Sequence, residues 1–244
     1  MASLRLFFSH RIFNTYFADL ACTLNITQTG LKQATCIRFA SKFNDEKAKP
    51  KQHISRYPVP DVRTLPSDMQ KLIDEAKEKA GFVPNVFQTL SHRPKEMQAF
   101  VNYYDAVMED RTGGHLTKAD KEMIVVAVSA YNKCRYCIIA HSALFRIYSK
   151  NRILADQIAA NWQTADIDDR QRSILNFALQ VTKCEPLSET HFDALRQHGL
   201  DEEDAWDIGS VVALFSLSNR MAYLTSMVPN EEFYMLGRVP KEKK

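Results

Sequence analysis

The segment LTKADKEMIVVAVSAYN, residues 116–132, constrains the fold more than any other part of the chain. Thr117 is a helix N-cap residue, and Asp120 stands three positions on, where a capping partner belongs. Asn132 is a residue that can end this helix and cap the next. Between them, MIVVAV reads as a buried strand on periodicity alone, but the ~15 residues from cap to Asn132 favour a helix. That helix is apolar on nearly every side, so it lies deep in the core and other elements must surround it.

The rest of the chain offers helices to do so. Only 7 of 244 residues are glycine, and strand-and-turn punctuation is scarce. Met69, Leu72, Ile73 and Ala76 repeat at helical spacing in PSDMQKLIDEAKEKAG, which Gly81 closes. Residues 82–94, FVPNVFQTLSHRP, read as a turn-rich passage carrying apolar anchors. Pro94 opens a helix whose stripe is Met97, Phe100, Val101, Tyr104, Val107 and Met108. After Asn132 a helix is expected from about Lys133 to Tyr148. More follow near 151–161, 169–183, 188–198 and 202–226, with Ser188 opening one and Gly199 closing it. No convincing strand pair is present, so the fold class is all-α, one domain over residues 66–237. One echo appears: residues 116–132 and 200–219 each run from a Leu, through an Asp four residues on, to an apolar stretch ending near Asn.

Composition separates the ends from this body. Residues 1–42 carry Arg5, Arg11, Lys32, Arg38 and Lys42 against the single acid Asp19, with many Ser, Thr, Phe and Leu. They lack the apolar core and cleavage site of a secretory signal and read as a mitochondrial transit peptide. Residues 43–65 read as a linker or surface arm, and 238–244 as a basic tail. The whole chain has 32 basic and 29 acidic residues; without the leader's 5 and 1 it has 27 and 28. The body therefore gives no electrostatic argument for nucleic acid. No apolar run is long enough for a transmembrane helix. Cys22 and Cys36 lie in the leader. Cys134, Cys137 and Cys184 remain, too few for a disulfide framework.

The chemistry concentrates in NKCRYCIIAH, residues 132–141. On a helix at about 100° per residue, Cys134, Cys137 and His141 fall within an arc of roughly 60°. Cys137 and His141 stand at i, i+4 and can touch. Free N–H groups and the helix dipole in the first turn favour a thiolate. A nearby histidine can accept the thiol proton. A structural zinc site would need a second Cys/His pair, and Cys184 and the other histidines show no paired spacing. Two small hydrophobes in a core are a further reading.

Glu122, Cys134, Cys137 and His141, spaced as E-x11-C-x2-C-x3-H, resemble the signature of the alkylhydroperoxidase D (AhpD)-like proteins of the carboxymuconolactone decarboxylase superfamily. VPNVFQTLSHRP, LFSLSNRMAY and VPNEEFYMLGR extend the resemblance, over about residues 60–237, to the branch called peroxidase-related enzymes. The resemblance implies a thiol-dependent peroxidase or disulfide reductase with no bound cofactor. Cys137 would attack a hydroperoxide and Cys134 would resolve the sulfenic acid to a disulfide. His141 would take the proton, and Glu122 would complete the relay, a role that spacing alone does not place. A thioredoxin-like or lipoyl protein would supply electrons. A homo-oligomer, trimer or hexamer, is expected, in the mitochondrial matrix.

Tyr136 departs from the pattern: the best-known peroxidase members carry a second histidine there, and a phenol is a poor proton shuttle at neutral pH. Cys184 is expected to be structural. Asn219 and Arg220 are expected beside the site, with Arg220 in a structural ion pair. Two rival readings are a lactone decarboxylase, whose name-giving members lack the CxxC, and a non-catalytic redox sensor or binding module.

Overall fold

The computed structural model describes residues 53–238. The expected leader, most of the expected arm and the tail beyond Arg238 lie outside the described residues. Ten α-helices and two short 3-10 turns account for the regular structure, and no strand occurs among the described residues.

Helix α4 (Lys118–Tyr131) is the hub. The side chain of Thr117 accepts from the Asp120 N–H, and Asp120 Oδ2 accepts from the Thr117 N–H at 2.9 Å, a reciprocal capping box. Every residue from Asp120 to Ser129 is buried. An element apolar all round has no solvent face to offer, and α5 (Arg135–Ser149), α6 (Leu154–Asn161), α7 (Asp169–Thr182) and α9 (Glu202–Leu224) enclose it. Met123, Ile124, Val126 and Val128 of α4 join Phe145, Ile158, Ile174, Leu175 and Phe215 in the main core.

The other helices make smaller cores at its flank. Helix α1 (Ser67–Ala80) ends at Gly81, whose φ of 82° is a left-handed value that glycine adopts at no steric cost. Met69 and Ile73 of α1 pack on Met97 and Val101 of α3 (Pro94–Met108). Helix α8 (Glu189–Arg196), capped by Ser188, covers α7 and α9. Helix α10 (Glu232–Met235) is clamped to α5 by buried Arg146, which donates to the carbonyls of Phe233 and Leu236 at 2.9 Å each. Gly237 completes the clamp: a Cβ there would lie 2.8 Å from the Arg146 Cβ.

The structure corrects three expectations. The turn-rich passage over 82–94 contains a short helix, α2 (Asn85–Leu90). Its first free N–H groups are satisfied by distant side chains: Asn85 N donates to Asn230 Oδ1 at 2.7 Å and Val86 N to Tyr136 Oη at 3.0 Å. Helix α6 begins three residues after the expected 151, because Asn151 Oδ1 accepts from the N–H groups of Ile153 and Leu154 and makes a turn first. Asn132 ends α4 but does not cap α5, which opens at Arg135 with Cys134 in the cap position.

Candidate active site

The connection between α4 and α5 builds the site. Lys133 takes a left-handed φ of 57°. Its N–H donates to the Ala130 carbonyl, and the Cys134 N–H donates to Ser129 at 2.9 Å. These two bonds are the Schellman closure of α4. The closure leaves Cys134 as the residue that caps α5, with an extended backbone, and puts Cys137 in the first turn. Both sulfurs are buried, each residue 1 % exposed, in a small core with Tyr136, Ala140, Met227 and Phe233.

The two thiols are not equivalent. The Cys137 S–H donates to the Cys134 sulfur, and the N–H groups of Cys137 and Tyr136 point at it from the open end of α5. Together with the charge of His141, and against burial, they pull the Cys134 thiol down from the ordinary 9.0 to about 7. Cys137 goes the opposite way: donation to Cys134 and burial push its thiol well up, opposed by Ser218 and Asn219. Of the two, Cys134 is the thiol that ionises more readily. Ser218 Oγ of α9 lies 3.7 Å from Cys137 Sγ.

Glu122, which spacing alone could not place, meets His141. Their Nδ1···Oε2 distance is 2.7 Å, and both residues are buried. A carboxylate only accepts, so Nδ1 carries the proton and Nε2 is the nitrogen free for chemistry. The edge of Phe215 packs against the imidazole, centroids 4.6 Å apart at 83°. Burial, and then the charge of Glu122, raise the phenols of Tyr104 and Tyr148, so both stay neutral beside the carboxylate.

The remaining sequence candidates fall into place. Tyr136 is buried, its thermodynamic preference is strongly for the neutral phenol because of that burial, and its oxygen accepts from Val86 N; it fastens α2 to α5. Asn219 is 2 % exposed and ties α9 to the end of α4: its Oδ1 accepts from Asn132 Nδ2 at 2.9 Å, and its Nδ2 donates to Ser129 Oγ at 3.0 Å. Arg220 is exposed and donates to the Ser216 carbonyl of its own helix. Cys184 is not a core residue. It is exposed, with a left-handed φ of 57° at the end of α7. Ser218, Phe215 and Tyr104 are site residues that sequence reasoning missed as such. Ser218 and Phe215 reach Cys137 and His141 from α9, and Tyr104 of α3 packs on Phe215; only tertiary packing relates those helices to the motif.

Residues 94–161 match the model of the carboxymuconolactone decarboxylase family. The chain is similar to the AhpD core of an uncharacterized peroxidase-related protein from Ralstonia eutropha JMP134, at 55 % identity over 77 % of this chain and 98 % of that one, with a TM-score of 0.75. An uncharacterized peroxidase-related protein from Silicibacter sp. TM1040 is 35 % identical over 79 % and 100 %, with a TM-score of 0.72. The debrominase Bmp8, 19 % identical over 76 % and 96 % with a TM-score of 0.57, shares the fold. No curated protein matches the chain.

Proposed function

The chain belongs to the AhpD-like proteins of the carboxymuconolactone decarboxylase superfamily, and from that membership we propose that it is a thiol-dependent peroxidase with Cys134 and Cys137 as its redox pair. The observation that carries the reading is the placement of two buried cysteines at the start of α5, one turn before a His141 that Glu122 holds at 2.7 Å. An N-cap thiolate beside a thiol is a stored nucleophile. In the first step the Cys134 thiolate takes the Cys137 proton. The Cys137 thiolate then attacks the terminal oxygen of a hydroperoxide, ROOH. The O–O bond breaks, Cys137 becomes a sulfenic acid, and RO⁻ recovers a proton from Cys134 to leave as ROH. The Cys134 thiolate next attacks the Cys137 sulfur. The S–O bond breaks, the disulfide forms, and the departing hydroxide takes a proton that His141 Nε2 relays from solvent, to leave as water. Glu122 holds the His141 ring in position and stabilises the imidazolium. An external dithiol, from a thioredoxin-like or lipoyl protein, reduces the disulfide by exchange and closes the cycle.

Two attributes of the whole protein accompany this reading. Trp206, Ala213, Leu217 and Leu224 form an exposed apolar stripe along α9, which supports assembly as a homo-oligomer, trimer or hexamer. The basic, acid-poor leader supports placement in the mitochondrial matrix.

The test is peroxide consumption by the full chain with dihydrolipoamide as reductant, comparing wild type with Cys134→Ser and Cys137→Ser. Turnover lost in both variants supports the two-cysteine peroxidase. A Cys134–Cys137 disulfide without turnover indicates a disulfide reductase or a sensor, and no disulfide removes the redox reading. A sulfenic acid trapped on Cys137 in Cys134→Ser supports the order of attack; one trapped on Cys134 in Cys137→Ser alone reverses it.

A further inference from the structure

The segments that meet around the cysteines carry no acid. Residues 79–95, 123–155 and 208–230 contain neither Asp nor Glu, and they supply α2, α5 and the later half of α9. Beyond the leader the chain has 27 basic and 28 acidic residues, so this imbalance is local. Glu231 and Glu232, the next acids after α9, are placed with α10, which Arg146 clamps to the last turn of α5.

Within these segments, exposed cations stand at the α4–α5 connection. Lys133 and Arg135 flank Cys134 in the chain, both are exposed, and neither side chain has a hydrogen bond or ion pair among the described residues. Other surface arginines are matched: Arg170 pairs with Asp120, Arg238 with Asp156, and Arg111 with Asp204 and Asp207. Arg220 is a third cation here. Its neighbour Asn219 bonds Asn132 at 2.9 Å, which brings α9 against the connection, and Arg220 itself meets a carbonyl and not a carboxylate. Two large aromatic side chains accompany the cations. Tyr131, just before Asn132, is 50 % exposed, and Tyr223, one turn after Asn219, is 63 % exposed. Tyr and Arg are the residue types enriched where protein surfaces bind one another.

We propose, resting on the reading of Cys134 and Cys137 as a redox pair, that this face is the docking surface for the protein that reduces them, and that this partner is acidic. Carboxylates on the partner meet Lys133, Arg135 and Arg220, and an apolar patch on it meets Tyr131 and Tyr223. The surface favours a protein donor over a free small dithiol, which has no carboxylates to offer. Cations at the rim of an interface act mainly on encounter, so they set the association rate and its dependence on salt.

The test follows reduction of the full chain, previously oxidised to the Cys134–Cys137 disulfide, by a dihydrolipoyl domain of net negative charge and by free dihydrolipoamide. With the domain, the second-order rate constant is expected to fall at least about tenfold between roughly 20 mM and roughly 0.5 M salt; with dihydrolipoamide it is expected to change less than about twofold. At low salt, Arg135→Gln and Arg220→Gln are each expected to lower the ratio of the two rate constants, domain over dihydrolipoamide, about 2- to 5-fold. A rate with the domain that does not depend on salt, or an unchanged ratio in both variants, overturns the proposal. Peroxide consumption is measured separately: charge-dependent reduction of the disulfide without peroxide turnover keeps the docking surface and removes the peroxidase reading. If no disulfide forms, the redox pair itself fails, and calorimetry with the same domain decides the surface. Salt-sensitive binding that weakens in Arg220→Gln keeps it as a site for an acidic protein, and no binding removes it.

Discussion

Cys134 occupies two positions at once: it closes α4 through its N–H and takes the N-cap position of α5. The leading cause of its lowered pKa is the S–H of Cys137, and the N–H groups of Cys137 and Tyr136 at the open end of α5 add to it. The folded value lies below the ordinary one, so thiolate is present above about 7 and is lost as pH falls through it. The rate of iodoacetamide alkylation at Cys134 is therefore expected to turn up near pH 7, with the inflection moving towards 9 in Cys137→Ala. An inflection that stays near 7 in that variant would show that Cys137 is not the donor. Glu122 acts one atom further away, through the ring it orients. Glu122→Gln should lower peroxide turnover about 100- to 10,000-fold, the usual range for a lost general acid–base contribution. Steady-state kinetics checks this, and a loss below about tenfold would make Glu122 a packing residue.

At the scale of elements, three helices end in the same way without glycine. Lys133 after α4, Cys184 after α7 and Ser226 after α9 each take a left-handed φ of 53–57°. In each case its own N–H and that of the following residue return to the last turn. A left-handed non-glycine residue carries strain of roughly 1–2 kcal/mol, so these ends leave no glycine in the sequence to read. The helix starts are clearer. Asp120 and Asp204 are both buried capping-box residues, and Asn132 and Asn219, at the far ends of α4 and α9, bond each other. The sequence echo between these segments thus has a physical counterpart in equivalent caps and a shared contact. Asp204 also accepts from His115 N at 2.9 Å and Arg111 Nη2 at 3.0 Å. Asp204→Ala would strand these donors and should cost about 3–5 kcal/mol in urea unfolding. Asp201→Ala, which loses a cap and an exposed 3.8 Å ion pair with Arg111, should cost about 1 kcal/mol. Equal costs would mean that the Arg111 network adds nothing.

At the scale of the molecule, the outer stripe of α9 is the feature that one chain leaves unexplained. Trp206 is 74 % exposed on a helix whose other faces are already apolar. Light scattering of the full chain should give three or six times 28.0 kDa. Trp206→Glu, which places a charge in that stripe, should shift the mass towards one copy. A wild-type monomer would refute the assembly.

What the sequence alone determined is what local chemistry controls. The capping pair Thr117 and Asp120, the all-round apolar run behind it and the helical spacing of Cys134, Cys137 and His141 each act within a few residues. They were sufficient for the all-α class, the central helix and the shared face of the motif. Tertiary structure decided what depends on contacts between distant segments. Helix α2 exists because Tyr136 and Asn230 supply its missing acceptors from 50 and 145 residues away. Glu122 reaches His141 only because the closure at Lys133 folds α5 back along α4. The Ser218 contact with Cys137 arises where α5 packs on α9. No local pattern encodes that packing, because the apolar residues that drive it are interchangeable in sequence and distinct only once they share a core.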